Sequence, residues 1–164
     1  MIKVLSTNIT SPLGLTTKEN YHAVKAGSSS LRVQNNWRNG PQEFTASLFS
    51  EEQEKVLLVD GFTRYESIVI HSIKEAISHL DIDVESDRIA LVLSTTKANV
   101  EELSSNEDND GYYLKPGESA VKIAKYIGFT TDPVVVCNAC ISGVTAQILA
   151  DRLINSGSYD TVVV

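Results

Sequence analysis

The sequence predicts an α/β fold with a mostly parallel, mixed sheet covered by helices on both faces. Apolar runs of strand length alternate with segments of helical period about ten or more residues long, the pattern of strand–helix–strand units. The run 89–93 within the expected strand 88–94, and the run 134–136, are continuously apolar rather than alternating, as strands buried on both sides are. The chain has 164 residues without internal repeat or low-complexity linker, which suits one domain with a real core.

The elements follow in order. Met1 to Ser6 reads as a short apolar strand, and Ser11-Pro12-Leu13-Gly14 as a structural turn. Thr17 is the expected cap of a helix to about Ala26, with Tyr21 and Val24 facing inward and Gly27 as its stop. Residues 28 to 59 are less regular, with a turn or loop at Asn39-Gly40-Pro41. A long helix is expected from about Thr63 to Leu80, because Tyr65, Val69, Ile73, Ala76, Ile77 and Leu80 recur at helical spacing. The strand Arg88 to Ser94 follows, then an exposed polar loop at 104–111. A helix from about Glu118 to Ile127 stops at Gly128. Asp132-Pro133 opens a strand through Val134, Val135 and Val136, with Cys137 as its last buried residue. A helix then runs through Ala146, Leu149, Ala150 and Leu153 to Gly157, and Tyr159 to Val164 reads as a buried strand. An apolar strand edge needs a cover, so either a continuing chain or a partner is expected beside it.

Composition excludes several functions. A formal charge of −7 argues against nucleic-acid binding, which needs clustered Lys and Arg. No apolar run approaches the roughly 20 residues of a membrane helix. The start is too short and too quickly polar for a signal peptide, so a cytoplasmic protein is expected.

The segment Val136-Cys137-Asn138-Ala139-Cys140-Ile141-Ser142-Gly143 carries the chemistry. It places Cys140 where a strand turns into a helix. There the helix dipole and unpaired N–H groups favour a thiolate. The same groups can stabilise an oxyanion. The small residues Ala139, Ser142 and Gly143 leave room for an acyl chain or pantetheine arm. Two cysteines at this spacing are open to three readings: a redox pair, half of a metal site, or one nucleophile with a buried neighbour.

The six residues Asn138 to Gly143 resemble the nucleophile turn of β-ketoacyl synthases, whose usual pattern is Thr-Ala-Cys, a small residue, Ser and a small residue. Asn138 stands for the Thr, and the bulkier Ile141 for a small residue, narrowing the acyl pocket. The resemblance is collinear. Ser11-Pro12-Leu13-Gly14, Ala23-Val24-Lys25-Ala26-Gly27, Asp60-Gly61-Phe62-Thr63-Arg64 with the Ala76-Ile77 helix, Arg88 to Thr95, and Asp160 to Val164 are similar to family landmarks in order, with Ser94 where a Gly is usual. Residues 28 to 59 lack such landmarks. The resemblance implies the amino-terminal half of a thiolase-like enzyme, with Cys140 as nucleophile and its backbone N–H in the oxyanion hole. It implies decarboxylating Claisen condensation of an acyl thioester with a malonyl carrier-protein thioester, in fatty acid or polyketide-type synthesis. The catalytic histidines would lie in the other half, and His22, His71 and His79 do not match them. No cofactor is implied beyond the phosphopantetheine of the acyl carrier protein. The implied assembly is a homodimer, or a heterodimer with another ketosynthase chain.

Other readings compete. The chain can be a non-catalytic partner subunit or remnant, favoured by Asn138, Ile141 and Ser94 and opposed by the retained Cys140. A buried, inert Cys140 is the plain alternative. A redox Cys137–Cys140 pair is disfavoured by its late position, and zinc by the lack of two further ligands. His71, Glu75 and His79 share one helix face, expected to be solvated. Asn106, Asp108, Asp110 and Gly111 imitate the start of a calcium loop, but the twelfth position is Gly117 rather than Glu. Lys97 is expected to be solvated. Glu51, Glu52 and Glu54, opposed by Lys55, would slow encounter with an acidic carrier protein.

Overall fold

The strand Ile89–Ser94 (β3) organises the fold, because nearly all of it is buried on both faces. A computed structural model describes residues 2–35, 42–104 and 115–164. Before β3 come the helix Thr17–Lys25 (α1), the strands Leu31–Gln34 (β1) and Phe44–Ser47 (β2), and the helices Glu51–Leu57 (α2) and Arg64–Ile77 (α3). After it come Pro116–Ile127 (α4), Val134–Val136 (β4), Ser142–Asn155 (α5) and Thr161–Val163 (β5). β3 lies between β4 and β5 in a parallel sheet, and β1 and β2 form a separate antiparallel hairpin.

Alternation along β3 sorts the layers. Ile89, Leu91 and Leu93 join Ile70 and Ile73 of α3, Ala120, Ile123 and Ala124 of α4, and Phe129 in one apolar core. Ala90 and Val92, 1% and 0% exposed, point to the opposite face, where α5 packs with Ala146 at 0%. Helices therefore cover both faces of a parallel sheet, as expected from the sequence.

The first three helices begin with the same device. Thr16 and Glu19, Ser50 and Gln53, and Thr63 and Glu66 each form a capping box, in which side chain and backbone satisfy one another's free donors. The cap of α1 is thus Thr16, not Thr17, because the partner Glu19 stands three residues after Thr16. α4 starts at Pro116, two residues earlier than expected, and stops at Gly128, whose φ of 109° is left-handed.

Several expectations are corrected. Residues 2–6 form no strand. Val4 is 81% and Leu5 59% exposed, and no ladder partner stands beside them among the described residues. Tyr21 and Val24 face solvent, and the residue that α1 buries is Asn20. Its amide donates to the carbonyls of Ile9 (2.9 Å), Gly14 (2.8 Å) and Thr16 (2.9 Å) and accepts from the Ser11 hydroxyl. The turn Ser11–Gly14 does form, with Ser11 N–H donating to Gly14 O at 2.8 Å and Gly14 N–H to Ser11 O at 3.0 Å. Gly14 is required there, since a Cβ would overlap that of Glu19. α3 ends at Ile77 rather than near Leu80. The less regular stretch 28–59 holds the hairpin and α2. β5 is half-buried rather than buried, and among the described residues β3 is its one neighbour in the sheet. Most of the polar loop at 104–111 lies outside the described residues.

Candidate functional site

The carboxyl ends of β3 and β4 lie side by side, joined by a 3.1 Å bond from Thr95 N–H to Val136 O. Each strand leaves the sheet through a left-handed alanine, Ala98 after β3 (φ 44°) and Ala139 after β4 (φ 45°). This conformation costs a non-glycine residue about 1–2 kcal/mol. Such strain persists only where the surroundings hold it, and it gathers at functional sites. In parallel sheets, ligands bind beyond the carboxyl ends of the strands.

The cysteines flank Ala139. One turn of 3-10 helix, Ala139–Ile141, carries Cys140 directly into α5. Ser142 ties the turn down, accepting from Asn138 N–H at 2.8 Å and donating to Ala139 O at 2.8 Å. Asn138 donates from its amide to Thr145 Oγ1 at 3.2 Å, so the residue standing for a Thr keeps a polar link to α5. Ile141 N–H is used by Asn138 O at 3.1 Å, whereas no described residue accepts from Cys140 N–H. Cys140 is exposed, at the entrance of a helix, with a free backbone donor. Exposure and an unclaimed donor at a helix entrance are two of the features that thiol attack on a carbonyl uses.

Cys137 departs from expectation. It lies beyond β4 and is exposed rather than the buried last residue of the strand. The physical reason is that β4 is an edge strand, itself only half-buried. Ile141 is 56% exposed and continues with Val144 (58%) and Ile148 (47%) as an apolar stripe that starts beside Cys140.

His71 and Glu75 are half-buried, so the expected solvated face holds only for His79. His71 Nε2 has no hydrogen-bond partner among the described residues. No group of three or more His, Cys, Asp or Glu among the described residues is placed to hold a metal ion. The imitation calcium loop lies outside the described residues, apart from its last three positions, 115–117. Lys97 is exposed, as expected. Glu54 is answered by Arg64, whose Nε lies 2.8 Å from Glu54 Oε1, which tempers the negative charge of α2. No helix among the described residues is long and apolar enough to cross a membrane.

Sequence reasoning missed a buried polar network behind the strand ends. Glu66 of α3 is 1% exposed and Asn99, after β3, is 0%. Glu66 Oε2 accepts from Lys122 Nζ (2.9 Å) and Thr63 N–H (3.0 Å), and Oε1 accepts from the Ser119 hydroxyl (2.8 Å). Asn99 donates to Ser119 Oγ at 2.9 Å and accepts from the Thr63 hydroxyl at 2.7 Å. Burial pushes the Glu66 carboxyl up, but the bonds from Lys122, Thr63 and Ser119 together outweigh it, and the group lies below the usual glutamate value. The network locks α3 and α4 to the loop that follows β3.

No family model matches the chain. In sequence it is 26% identical over 133 residues to the conidial pigment polyketide synthase alb1 of Aspergillus fumigatus, covering 77% of this chain and 6% of that protein. In structure it is similar to the ishigamide ketosynthase/chain length factor, with a TM-score of 0.74 at 15% identity, over 92% of this chain and 48% of the other. It is also similar to a β-ketoacyl synthase from Burkholderia phymatum STM815, with a TM-score of 0.67 at 18% identity, over 95% of this chain and 44% of the other. The chain spans about half the length of these structural relatives and a small part of the polyketide synthase. With its central parallel sheet between two helical layers, the chain has the fold of about half of a β-ketoacyl synthase.

Proposed function

We propose that this chain serves a ketosynthase-type acyl transfer in which Cys140 carries the acyl group. The observation that supports it most is an exposed thiol on the turn into α5, beside an unclaimed backbone N–H, in a fold shared with ketosynthases. In this reading the Cys140 thiolate attacks the carbonyl carbon of an acyl thioester on the phosphopantetheine of a carrier protein. The oxyanion is received by the Cys140 N–H, and the pantetheine thiolate leaves. A malonyl thioester then loses carbon dioxide, and the resulting enolate attacks acyl-Cys140. That releases the thiolate and yields a β-ketoacyl thioester. Decarboxylation needs groups that polarise the malonyl thioester carbonyl, and the second half of a thiolase-like fold is their source. The chain acts paired with another ketosynthase chain, identical or not, and needs no cofactor of its own.

Incubation with an acyl carrier-protein thioester tests this. Intact-mass measurement is expected to find the acyl mass on the chain, absent from Cys140→Ala and retained in Cys137→Ala, with no β-ketoacyl product from this chain alone after malonyl carrier protein is added. Acylation that survives Cys140→Ala, or robust condensation by the chain alone, overturns the reading. A second reading, a non-catalytic partner subunit, draws support from Asn138 and Ile141 at the nucleophile turn. It predicts no acylation at all.

A further inference from the structure

The loop after β3 fixes the backbone of one lysine on both sides. Thr95 Oγ1 accepts from the N–H of Ala98 at 2.9 Å and from that of Lys97 at 3.3 Å. Lys97 O accepts from Val100 N–H at 3.1 Å. Ala98 is left-handed and 6% exposed, and Asn99, at 0%, is anchored to Thr63 and Ser119. Both backbone groups of Lys97 are thus bonded and the two residues after it are buried, while Lys97 itself is exposed. A strained backbone so firmly held, carrying a free charged side chain, points to a use for that side chain.

Lys97 shares its end of the sheet with the thiol. Thr95 N–H donates to Val136 O, so β3 and β4 are still paired where they end. Lys97 follows two residues after Thr95, and Cys140 four residues after Val136. Neighbouring strands stand about 4.8 Å apart, and a lysine carries its ammonium on a long, flexible stem. The charge is unpaired: among the described residues Lys97 makes no ion pair, and Glu101, four residues on, lies 3.8 Å from Arg64. Residues 137–150, which form the cysteine turn and most of α5, contain no charged side chain. Charge selectivity at the thiol must therefore come from a neighbouring segment, and the loop after β3 supplies a cation.

We propose that Lys97 selects thioester substrates that bear a carboxylate, holding that group over the strand ends while the thioester carbonyl faces Cys140. The inference rests on the acyl-transfer reading for its substrate class. Two sources share this chemistry: the malonyl extender, whose carboxylate is separated from the thioester carbonyl by a single carbon, and an acyl donor that itself ends in a carboxylate. An ammonium meets a carboxylate as a point charge, without the fixed bidentate geometry of a guanidinium. That suits a group that enters and leaves in every cycle.

Alkylation tests the proposal without any thioester, so its failure is separate from that of the acyl-transfer reading. Cys137→Ala leaves Cys140 as the single thiol. Iodoacetate and iodoacetamide consume the same thiolate and differ in bearing a carboxylate or a neutral amide, so the ratio of their rates cancels any change in thiolate population. Lys97→Met is expected to lower the iodoacetate-to-iodoacetamide ratio by about fivefold, the order expected of one charge at a partly solvated site. Lys97→Arg should keep the ratio. Salt at about 1 M, where the screening length is about 3 Å, should erase the difference between parent and Lys97→Met. An unchanged ratio in Lys97→Met overturns the proposal. So does an equal fall in Lys97→Met and Lys97→Arg, which marks a disturbed loop rather than a lost charge. Given a charge-dependent ratio, acylation of Cys140 by succinyl and butyryl thioesters of N-acetylcysteamine identifies the source. A succinyl preference that Lys97→Met removes assigns the carboxylate to the acyl donor, and equal rates assign it to the extender.

Discussion

Replacing Glu66 by Gln isolates the buried network. The four groups in contact with the carboxylate, Lys122 Nζ, Thr63 N–H, the Ser119 hydroxyl and, at 3.5 Å, Asn99 Nδ2, are all donors. A carboxylate accepts on both oxygens, but a glutamine has one acceptor and must turn an NH₂ toward one pair of donors. Breaking a buried ion pair from one side costs about 3–5 kcal/mol, and a lost bond to a charged group about 1.5–3 kcal/mol. Lys122 retains access to water, its side chain being 28% exposed, so the lower end applies, about 3 kcal/mol. With a urea dependence of about 2 kcal/mol per molar, the unfolding midpoint should fall by about 1.5 M. A shift below about 0.3 M would refute the view that this network holds α3, α4 and the loop after β3 together.

Further outcomes follow from the same structure. The Glu66 carboxyl lies lower in the folded chain than in the unfolded one, so its stabilisation is complete above the ordinary glutamate value and is lost as pH falls through the lowered value. Urea midpoints of the parent and Glu66→Gln should therefore converge in acid and differ most at neutral pH. Asn20→Ala removes the amide that gathers three carbonyls. It should cost about 2 kcal/mol and lower Tm by about 4–8 °C by circular dichroism. Gly128→Ala forces a left-handed alanine with its Cβ 3.5 Å from Val84 Cγ2, and should cost about 1–2 kcal/mol in the same assay. Ile70→Ala, at a site 1% exposed, should cost about 2–5 kcal/mol.

The sequence disclosed those features that local pattern decides. β3 was legible because its apolar run has the right length and β-branched content, and α4 because Gly128 supplies a left-handed stop. The entry of Cys140 into α5 was legible from small residues placed between an apolar run and a helical one. What stayed hidden depends on distant partners. Residues 2–6 have strand composition, but a strand exists only beside another. Tyr21 and Val24 share a helix face that points to solvent, since α1 is anchored by Asn20 rather than by apolar side chains. Glu66 was not singled out in the sequence at all. Its partners Asn99, Ser119 and Lys122 stand 33, 53 and 56 positions along the chain, beyond the reach of periodicity. The Thr16 cap, by contrast, was readable from Glu19 three places on.

The alanines between β3 and α5 have a reach beyond packing. Ala90 is 1% exposed and Ala146 0%, so single methyl groups govern how near α5 approaches the sheet. Cys140 rides on the first turn ahead of that helix, and its elevation over the strand ends is thus set by spacers it never touches. Added bulk at position 90 would lift the helix and carry the thiol away from the loop after β3, altering its reactivity through leverage alone.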